Sequence, residues 1–140
     1  MTEVVVSKSI NVDAQKAWET LSSFRGIEEF SPIERSETQG EGEGATRMCY
    51  MPDGAAISEV LSKVDNSTKE MEYKILEGPF PIQGYVSTVK VEATGAGTCK
   101  VTWGCEFETS AEAEAEMVKL FEGFYNVIID SLETLIQSQN

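Results

Sequence analysis

Histidine is absent from the chain of 140 residues, and cysteine is scarce. Because histidine is the commonest general base in enzymes, its absence excludes a Ser-His-Asp or Cys-His mechanism. Any catalysis would have to use carboxylates, tyrosine, lysine, arginine or cysteine. The three cysteines, Cys49, Cys99 and Cys105, are an odd number without a C-x-x-C pair. This pattern indicates neither a disulfide framework nor a zinc site, so we expect buried thiols, no metal and no cofactor.

Basic residues and long apolar runs are also missing. Eleven Lys and Arg stand against 24 Asp and Glu, a formal net charge of -13, which disfavours binding to nucleic acid or to anionic lipid. No apolar run approaches the roughly 18 residues of a membrane-spanning helix. The start, MTEVVVSKS, lacks the pattern of a signal peptide. We therefore expect a cytoplasmic protein without integral membrane association, folded as one domain over 1–140; its oligomeric state is not predicted.

The order of the predicted elements indicates an α+β fold. Residues 3–12 alternate loosely and predict a strand, after which Asp13 can cap a short helix over 14–24 and 27–30 can form a second one. Strand-sized segments separated by turn residues then predict six antiparallel strands. Apolar residues at helical spacing from Met117 onwards predict a long helix, with a capping box at Thr109 and Glu112. The long helix should pack on the concave face of a curved seven-stranded sheet.

Alternation along the strands predicts which side chains point into the core. In the segment over 98–108, charged and polar residues alternate with an inner set, and the segments over 70–75 and 85–92 show the same pattern. Two hydroxyl groups, those of Tyr85 and Ser87, are thereby directed inward. The other predicted inner residues of these segments are Cys99, Val101, Trp103, Cys105, Phe107, Met71, Tyr73, Ile75, Val89 and Val91.

The hairpin around Pro52-Asp53-Gly54 allows two registers. With a three-residue loop, Arg47 opposes Glu59 on the same face as Cys49, Ile57 and Leu61. If that face points inward, the core contains an ion pair, which is costly unless its hydrogen bonds are completed. In the alternative register Met48, Val60 and Val64 face inward and the ions form a surface pair worth under ~1 kcal/mol. Spacing alone does not choose between the two.

Taken in order, these motifs resemble the START/Bet v 1-like (SRPBCC) superfamily, in its polyketide cyclase/dehydrase and lipid-transport branch. The resemblance covers nearly the whole chain. It rests on DAQKAWETLSSFRGIEEFSP, on G-x-x-R at Gly44 to Arg47, on the PDG turn, on E-x-L at Glu59 to Leu61, on the turn at Asp65, on Tyr73, on GPFPIQGY, on TCKVTW and on the terminal helix. It implies a helix-grip fold: a seven-stranded antiparallel sheet around a long C-terminal helix, two short helices after the first strand, and a cavity between sheet and helix.

The resemblance supports two hypotheses about function. The first is a binding protein for a small hydrophobic molecule of the lipid, polyketide or isoprenoid type. The second is a cyclase, dehydratase or isomerase. In plant lachrymatory-factor synthases of this superfamily a cavity-facing arginine and glutamate carry catalysis, and their motifs correspond to Arg47, which would stabilise an anion, and Glu59, which would transfer a proton. A third, plainer possibility is a filled cavity and a role in protein contacts.

The predicted ligand-binding residues follow from the inner faces and from this resemblance. They are Phe24, Phe30, Cys49, Ile57, Leu61, Tyr73, Tyr85, Ser87, Trp103, Phe121, Phe124 and Tyr125. In GPFPIQG the prolines and the two glycines predict a rigid gate loop over 78–84. Tyr85 and Ser87 should therefore border the pocket near Arg47 and Glu59. The mid-helix glycine Gly123 agrees with a cavity beside the long helix.

Overall fold

A single curved sheet of seven antiparallel strands forms the molecule, as a computed structural model describes it over residues 1–139. The spatial order is β1-β7-β6-β5-β4-β3-β2, so every neighbouring pair except β1 and β7 is also consecutive in the chain. This meander confirms the predicted α+β helix-grip fold. The strands are β1 (Thr2–Ile10), β2 (Arg35–Gln39), β3 (Thr46–Tyr50), β4 (Ala56–Asp65), β5 (Glu70–Glu77), β6 (Ile82–Gly95) and β7 (Thr98–Thr109).

The long helix α2 (Glu114–Ser138) packs on the inner face of the sheet, mainly against β1. It presents one apolar stripe to the sheet because its buried residues recur three and four positions apart. This helix and the inner faces of β4 to β7 enclose the region in which a cavity was predicted. The buried residues of the stripe are Met117, Phe121, Tyr125, Ile128, Ile129, Leu132 and Ile136.

The segment between β1 and β2 contains one short α-helix and a single 3-10 turn. Helix α1 (Ala14–Ser22) begins at Asp13, whose carboxylate accepts a hydrogen bond from the Lys16 N–H at 3.2 Å, as predicted. The second predicted helix is only the turn Ile27–Glu29. Gly26 enters this turn with φ of 69°, and the proline after Ser31 disfavours further helical residues.

The start of α2 differs from the prediction, and the capping box is wrong. Thr109 is the last residue of β7, and its hydroxyl donates to the carbonyl of Pro81 at 2.7 Å, so it cannot cap the helix. A turn follows in which Ser110 Oγ accepts from the Ala113 N–H at 3.2 Å. The helix begins at Glu114, and Glu114 and Glu116 supply the predicted negative charge of the first turn.

Candidate functional site

The β3–β4 hairpin determines which residues meet at the centre of the sheet. Met51 N–H donates to Ala55 O at 2.8 Å across the turn, and Arg47 stands opposite Glu59 in the ladder. The three-residue loop and the inward register are thereby confirmed. The alternative register is wrong: Met48 is only half-buried, whereas Arg47 and Glu59 are 4% and 6% exposed.

In the buried ion pair, two guanidinium nitrogens of Arg47 contact the same carboxylate oxygen of Glu59. Arg47 Nε and Nη2 lie 2.7 Å and 2.5 Å from Glu59 Oε1, and the thiol of Cys49 donates to the same oxygen at 3.8 Å. The guanidinium also lies 3.8 Å above the ring of Phe24 and 5.4 Å from the centre of the Tyr73 ring. Burial by itself would lower the pKa of Arg47, but the charge and hydrogen bond of Glu59, together with smaller contributions from Cys49 and Tyr73, leave this pKa raised.

A cluster of tyrosines adjoins the ion pair. Tyr73 accepts a hydrogen bond from Trp103 Nε1 at 3.1 Å, and the hydroxyls of Tyr85 and Tyr125 are hydrogen bonded to each other. Burial, followed by the charge of Glu59, raises the pKa of Tyr73 to about 12. Burial likewise raises the pKa values of Tyr85 and Tyr125 well above the ordinary tyrosine value. These phenols are therefore neutral hydrogen-bonding groups at physiological pH.

A pocket of about 470 Å³ lies between α2, the inner face of β4 to β6 and the loop before β6. Buried side chains form its inner end and exposed residues of α2 form its mouth, among them Lys119 and Gly123. Apolar and aromatic groups predominate on the wall. The lining residues are Pro32, Met51, Ile57, Glu59, Tyr73, Ile75, Phe80, Tyr85, Lys119, Leu120, Phe121, Gly123, Phe124, Tyr125 and Val127.

Glu59 is the carboxylate on the pocket wall, and its second oxygen points to the pocket. Every hydrogen bond of this side chain within residues 1–139 ends on Oε1. In the same residues no fully buried side-chain oxygen lacks a partner. Since Oε2 has no protein partner, it is not fully buried, and the pocket is the space that Glu59 borders. The ion pair therefore offers the pocket one free acceptor.

About half of the predicted ligand-binding residues lie on this wall, although a role in binding remains a prediction for all of them. Those on the wall are Ile57, Tyr73, Tyr85, Phe121, Phe124 and Tyr125. The others are buried in the core behind it: Phe24, Phe30, Cys49, Leu61, Ser87 and Trp103. Ser87 does not meet the expectation that it borders the pocket, since its hydroxyl donates to the Gly104 carbonyl at 2.9 Å. Arg47 also lies behind the wall.

Several wall residues were not predicted as ligand contacts. Leu120 and Val127 flank Gly123 on α2, at spacings of three and four residues, and a Cβ on Gly123 would meet no atom within 4 Å. The period of α2 could have identified them as the edge of its apolar stripe. Phe80 belongs to the predicted gate loop, and its ring packs edge-on against Phe121 at 5.5 Å. The pocket is closed on that side by this contact.

In the described part of the chain, no group of three or more Cys, Asp and Glu side chains could hold a metal ion. Among the helices of residues 1–139, none has the length and hydropathy needed to cross a bilayer.

The sequence matches the family model described as polyketide cyclase/dehydrase and lipid transport over residues 1–137. The chain belongs to this family. No curated protein matches the sequence. Among solved structures, this chain is similar to protein XoxI from Bacillus cereus. The two share 26% identity and a TM-score of 0.87 over 98% of this chain and 96% of that one.

Two enzymes share the fold at lower identity. The Zhui aromatase/cyclase from a Streptomyces species has 16% identity and a TM-score of 0.85 over 97% of this chain and 93% of its own. Norcoclaurine synthase from Thalictrum flavum, solved with dopamine and hydroxybenzaldehyde, has 18% identity and a TM-score of 0.78 over 99% of this chain and 88% of its own. At these identities the likeness extends to the fold and not to the reaction.

Proposed function

We propose that this family member binds a small hydrophobic molecule in the pocket between α2 and the sheet. The observation that carries the proposal is a space of about 470 Å³ with a mainly aromatic and apolar wall and one free carboxylate oxygen. Ligand pockets commonly measure roughly 300–1,000 Å³ and combine such walls with a few polar groups that orient the ligand. The family description, which includes lipid transport and polyketide cyclisation, supports the same class of ligand.

A helix variant that fills the pocket tests this proposal. Gly123→Phe should place a ring in the mouth, since Gly123 lines the pocket and a Cβ there meets nothing within 4 Å. Glu122→Phe is the matched control, since it adds the same ring to the next, exposed residue outside the pocket wall. Titration with the neutral dye N-phenyl-1-naphthylamine and with neutral naphthalene derivatives, followed by fluorescence and calorimetry, gives the affinities.

We expect Gly123→Phe to weaken binding by about tenfold or more, while Glu122→Phe retains it. Native mass spectrometry of the protein purified from its own host should also reveal a co-purified apolar molecule. A chain that is always empty, together with equal affinities in the two variants, would remove the support for a binding function.

A second candidate function is proton transfer on the bound molecule, and the position of Glu59 Oε2 favours it. The carboxylate would take a proton from a carbon next to a ligand carbonyl, the electron pair would move to the carbonyl oxygen, and a hydroxyl of Tyr85 or Tyr125 would hydrogen bond to the enolate oxygen. Arg47 was predicted to stabilise an anion. Because it lies behind the wall on Oε1, the proposal gives it the task of holding Glu59 in position.

Deuterium exchange separates this candidate from binding alone. In D2O, aromatic ketones that bind the pocket should incorporate deuterium next to the carbonyl, which NMR detects. Glu59→Gln should abolish this exchange with affinity retained. If wild-type protein binds such ketones but exchange does not exceed the rate in buffer, the protein is a binding protein and the proton-transfer role is wrong.

A further inference from the structure

The pocket wall presents a free hydrogen-bond acceptor at its inner end. Glu59 Oε1 is already used by two guanidinium nitrogens and a thiol, whereas Oε2 has no partner among the described residues. An ionised carboxylate has no proton to donate. A ligand group that reaches Oε2 must therefore bring the proton of the hydrogen bond.

The positive charge of Arg47 is not available to balance an acidic ligand. Its guanidinium binds Glu59 along one edge and covers the ring of Phe24 with one face, at 3.8 Å. Arg47 also does not line the pocket, whereas Glu59 does. A ligand carboxylate at the inner end would thus face a second carboxylate at close range and would meet no cation there.

The charges also disfavour an ammonium group at the inner end. Arg47 already neutralises Glu59, so the buried pair has no net charge to offer to a third ion. The rest of the inner wall consists of apolar side chains and of phenols, which are neutral, as the raised pKa values of Tyr73 and Tyr85 indicate. A neutral donor loses less hydration than an ammonium when it enters such a site.

A ligand could also bind in the reverse orientation, with its polar head at the mouth of the pocket. Lys119 lines the pocket there and is exposed, so an acid could leave its head at Lys119 and place an apolar tail inward. That tail would cover Glu59 Oε2 without giving it a hydrogen bond. An unpaired buried acceptor is costly, and for a charged group the cost is greater. The inner end therefore opposes this orientation as well.

From this geometry we infer that the pocket selects ligands with a neutral hydroxyl group, an alcohol or a phenol, at the inner end of an apolar body, and that it rejects carboxylic acids such as free fatty acids. The inference rests on the proposed binding function and narrows it. Glu59 is the specificity-determining residue, through Oε2.

Three naphthalenes of one shape test the inference: 2-naphthol, 2-methoxynaphthalene and 2-naphthoate. At pH 7 the first is a neutral donor, the second is only an acceptor, and the third is an anion. Calorimetric titration of the wild-type chain should give 2-naphthol the lowest Kd. We expect the Kd values of 2-methoxynaphthalene and 2-naphthoate to be higher by about tenfold or more, the loss typical of an unpaired buried group.

Variants locate the origin of this preference. Glu59→Gln replaces the carboxylate by an amide, which both donates and accepts hydrogen bonds. The ratio of the Kd of 2-naphthoate to the Kd of 2-naphthol should therefore decrease. Glu106→Gln, on the outer face of the sheet, should leave it unchanged. Lys119→Gln, at the mouth of the pocket, tests the reversed orientation through its effect on the affinity for 2-naphthoate. If Glu59→Gln does not fold, the wild-type series still decides the question.

The outcomes distinguish the inference from the proposal beneath it. Equal affinities for the three probes, or tightest binding of 2-naphthoate, overturn the inference and leave the pocket as a binding site. Binding of 2-naphthoate that depends on Lys119 indicates the reversed orientation and also overturns it. If none of the probes binds and Gly123→Phe has no effect on dye binding, the proposed function fails and the inference fails with it.

Discussion

Arg47 and Glu59 are shielded from water, and contacts with each other and with the surrounding rings replace their hydration. Residues Arg47 and Glu59 are 4% and 6% exposed, and the guanidinium makes two short contacts with Glu59 Oε1. Loss of one partner leaves the other charge buried and unpaired, which typically costs about 3–5 kcal/mol, whereas replacement of both by apolar groups is often neutral. We expect Arg47→Met to lower the free energy of unfolding by that amount and Arg47→Met with Glu59→Leu to restore most of it. Urea unfolding of the two variants and of Glu59→Leu measures the coupling.

A double variant that is no more stable than Arg47→Met would contradict this account. Such a result would mean that the hairpin needs the hydrogen bonds of the pair themselves. Since Cys49 donates to the same oxygen at 3.8 Å, Cys49→Ala in the wild-type background is a useful comparison. It removes one weak donor and leaves the ions paired, so its effect should be much smaller.

Stability at alkaline pH should reveal the buried phenols and thiols. Burial is the main cause, and the charge of Glu59 the second, of two raised pKa values. The pKa of Tyr73 rises from 10.0 to about 12, and that of Cys49 rises from 9.0 to about 12. Between the ordinary and the raised value the unfolded chain releases a proton that the folded chain keeps. The stabilising contribution is therefore complete below about pH 9 and is lost progressively as the pH rises towards 12. At pH 10.5 the loss from Tyr73 should be on the order of 1 kcal/mol.

Urea midpoints between pH 8 and pH 11 measure this loss. The urea midpoint of Tyr73→Phe should fall less steeply with rising pH than that of the wild-type chain, because one buried phenol no longer ionises on unfolding. This holds even if the variant is less stable at every pH. A stability that stays flat up to pH 11 would show that these groups ionise equally easily in the folded chain.

At the scale of the elements, two glycines with opposite surroundings give a matched test. A Cβ on Gly123 in α2 meets no atom within 4 Å, whereas a Cβ on Gly104 in β7 would lie 3.1 Å from the Val4 carbonyl and 3.3 Å from a methyl group of Val5. Gly123→Ala should stabilise the helix by about 0.5–1 kcal/mol. Gly104→Ala should destabilise the β1–β7 contact by about 1–3 kcal/mol. Thermal unfolding of both variants checks the two signs.

The same elements show what a sequence reveals about structure. Alternation identified the inner face of β7 because nearly every residue there has a clear preference for water or for the core. The start of α2 was misplaced because Thr109 fits a capping box by its type, while its hydroxyl is engaged with Pro81 on the neighbouring strand. That partner lies 28 positions earlier in the chain, and local spacing gives no information about such contacts.

At the scale of the whole molecule, the ion pair could be predicted and the wall of the pocket only in part. With a three-residue PDG loop, counting residues places Arg47 opposite Glu59, as the structure shows, although spacing alone left the alternative register open. Whether a buried residue faces a cavity or another side chain depends on how α2 is placed across the sheet. Trp103 and Phe121 were both predicted to contact the ligand, yet only Phe121 reaches the pocket.

The net charge of -13 should make stability depend on salt, and one cross-strand contact allows a direct test. Glu3 stands opposite Glu106 in the β1–β7 ladder, both exposed on the outer face. Like charges in this position repel, and cross-strand pairs are worth roughly 0.2–1 kcal/mol. Added NaCl should raise the urea midpoint, because it screens charges more than about 10 Å apart at 0.1 M. Glu106→Lys should raise the midpoint at low salt and shrink the gain from NaCl.

The control is Glu122→Lys, which changes the net charge equally on an exposed position of α2. It relieves the general repulsion but creates no new pair opposite Glu3. Its midpoint at low salt should therefore rise less than that of Glu106→Lys. Equal midpoints would assign the effect to net charge alone, and a midpoint that falls with NaCl in the wild-type chain would mean that attractive ion pairs outweigh the repulsion among its 24 acidic side chains.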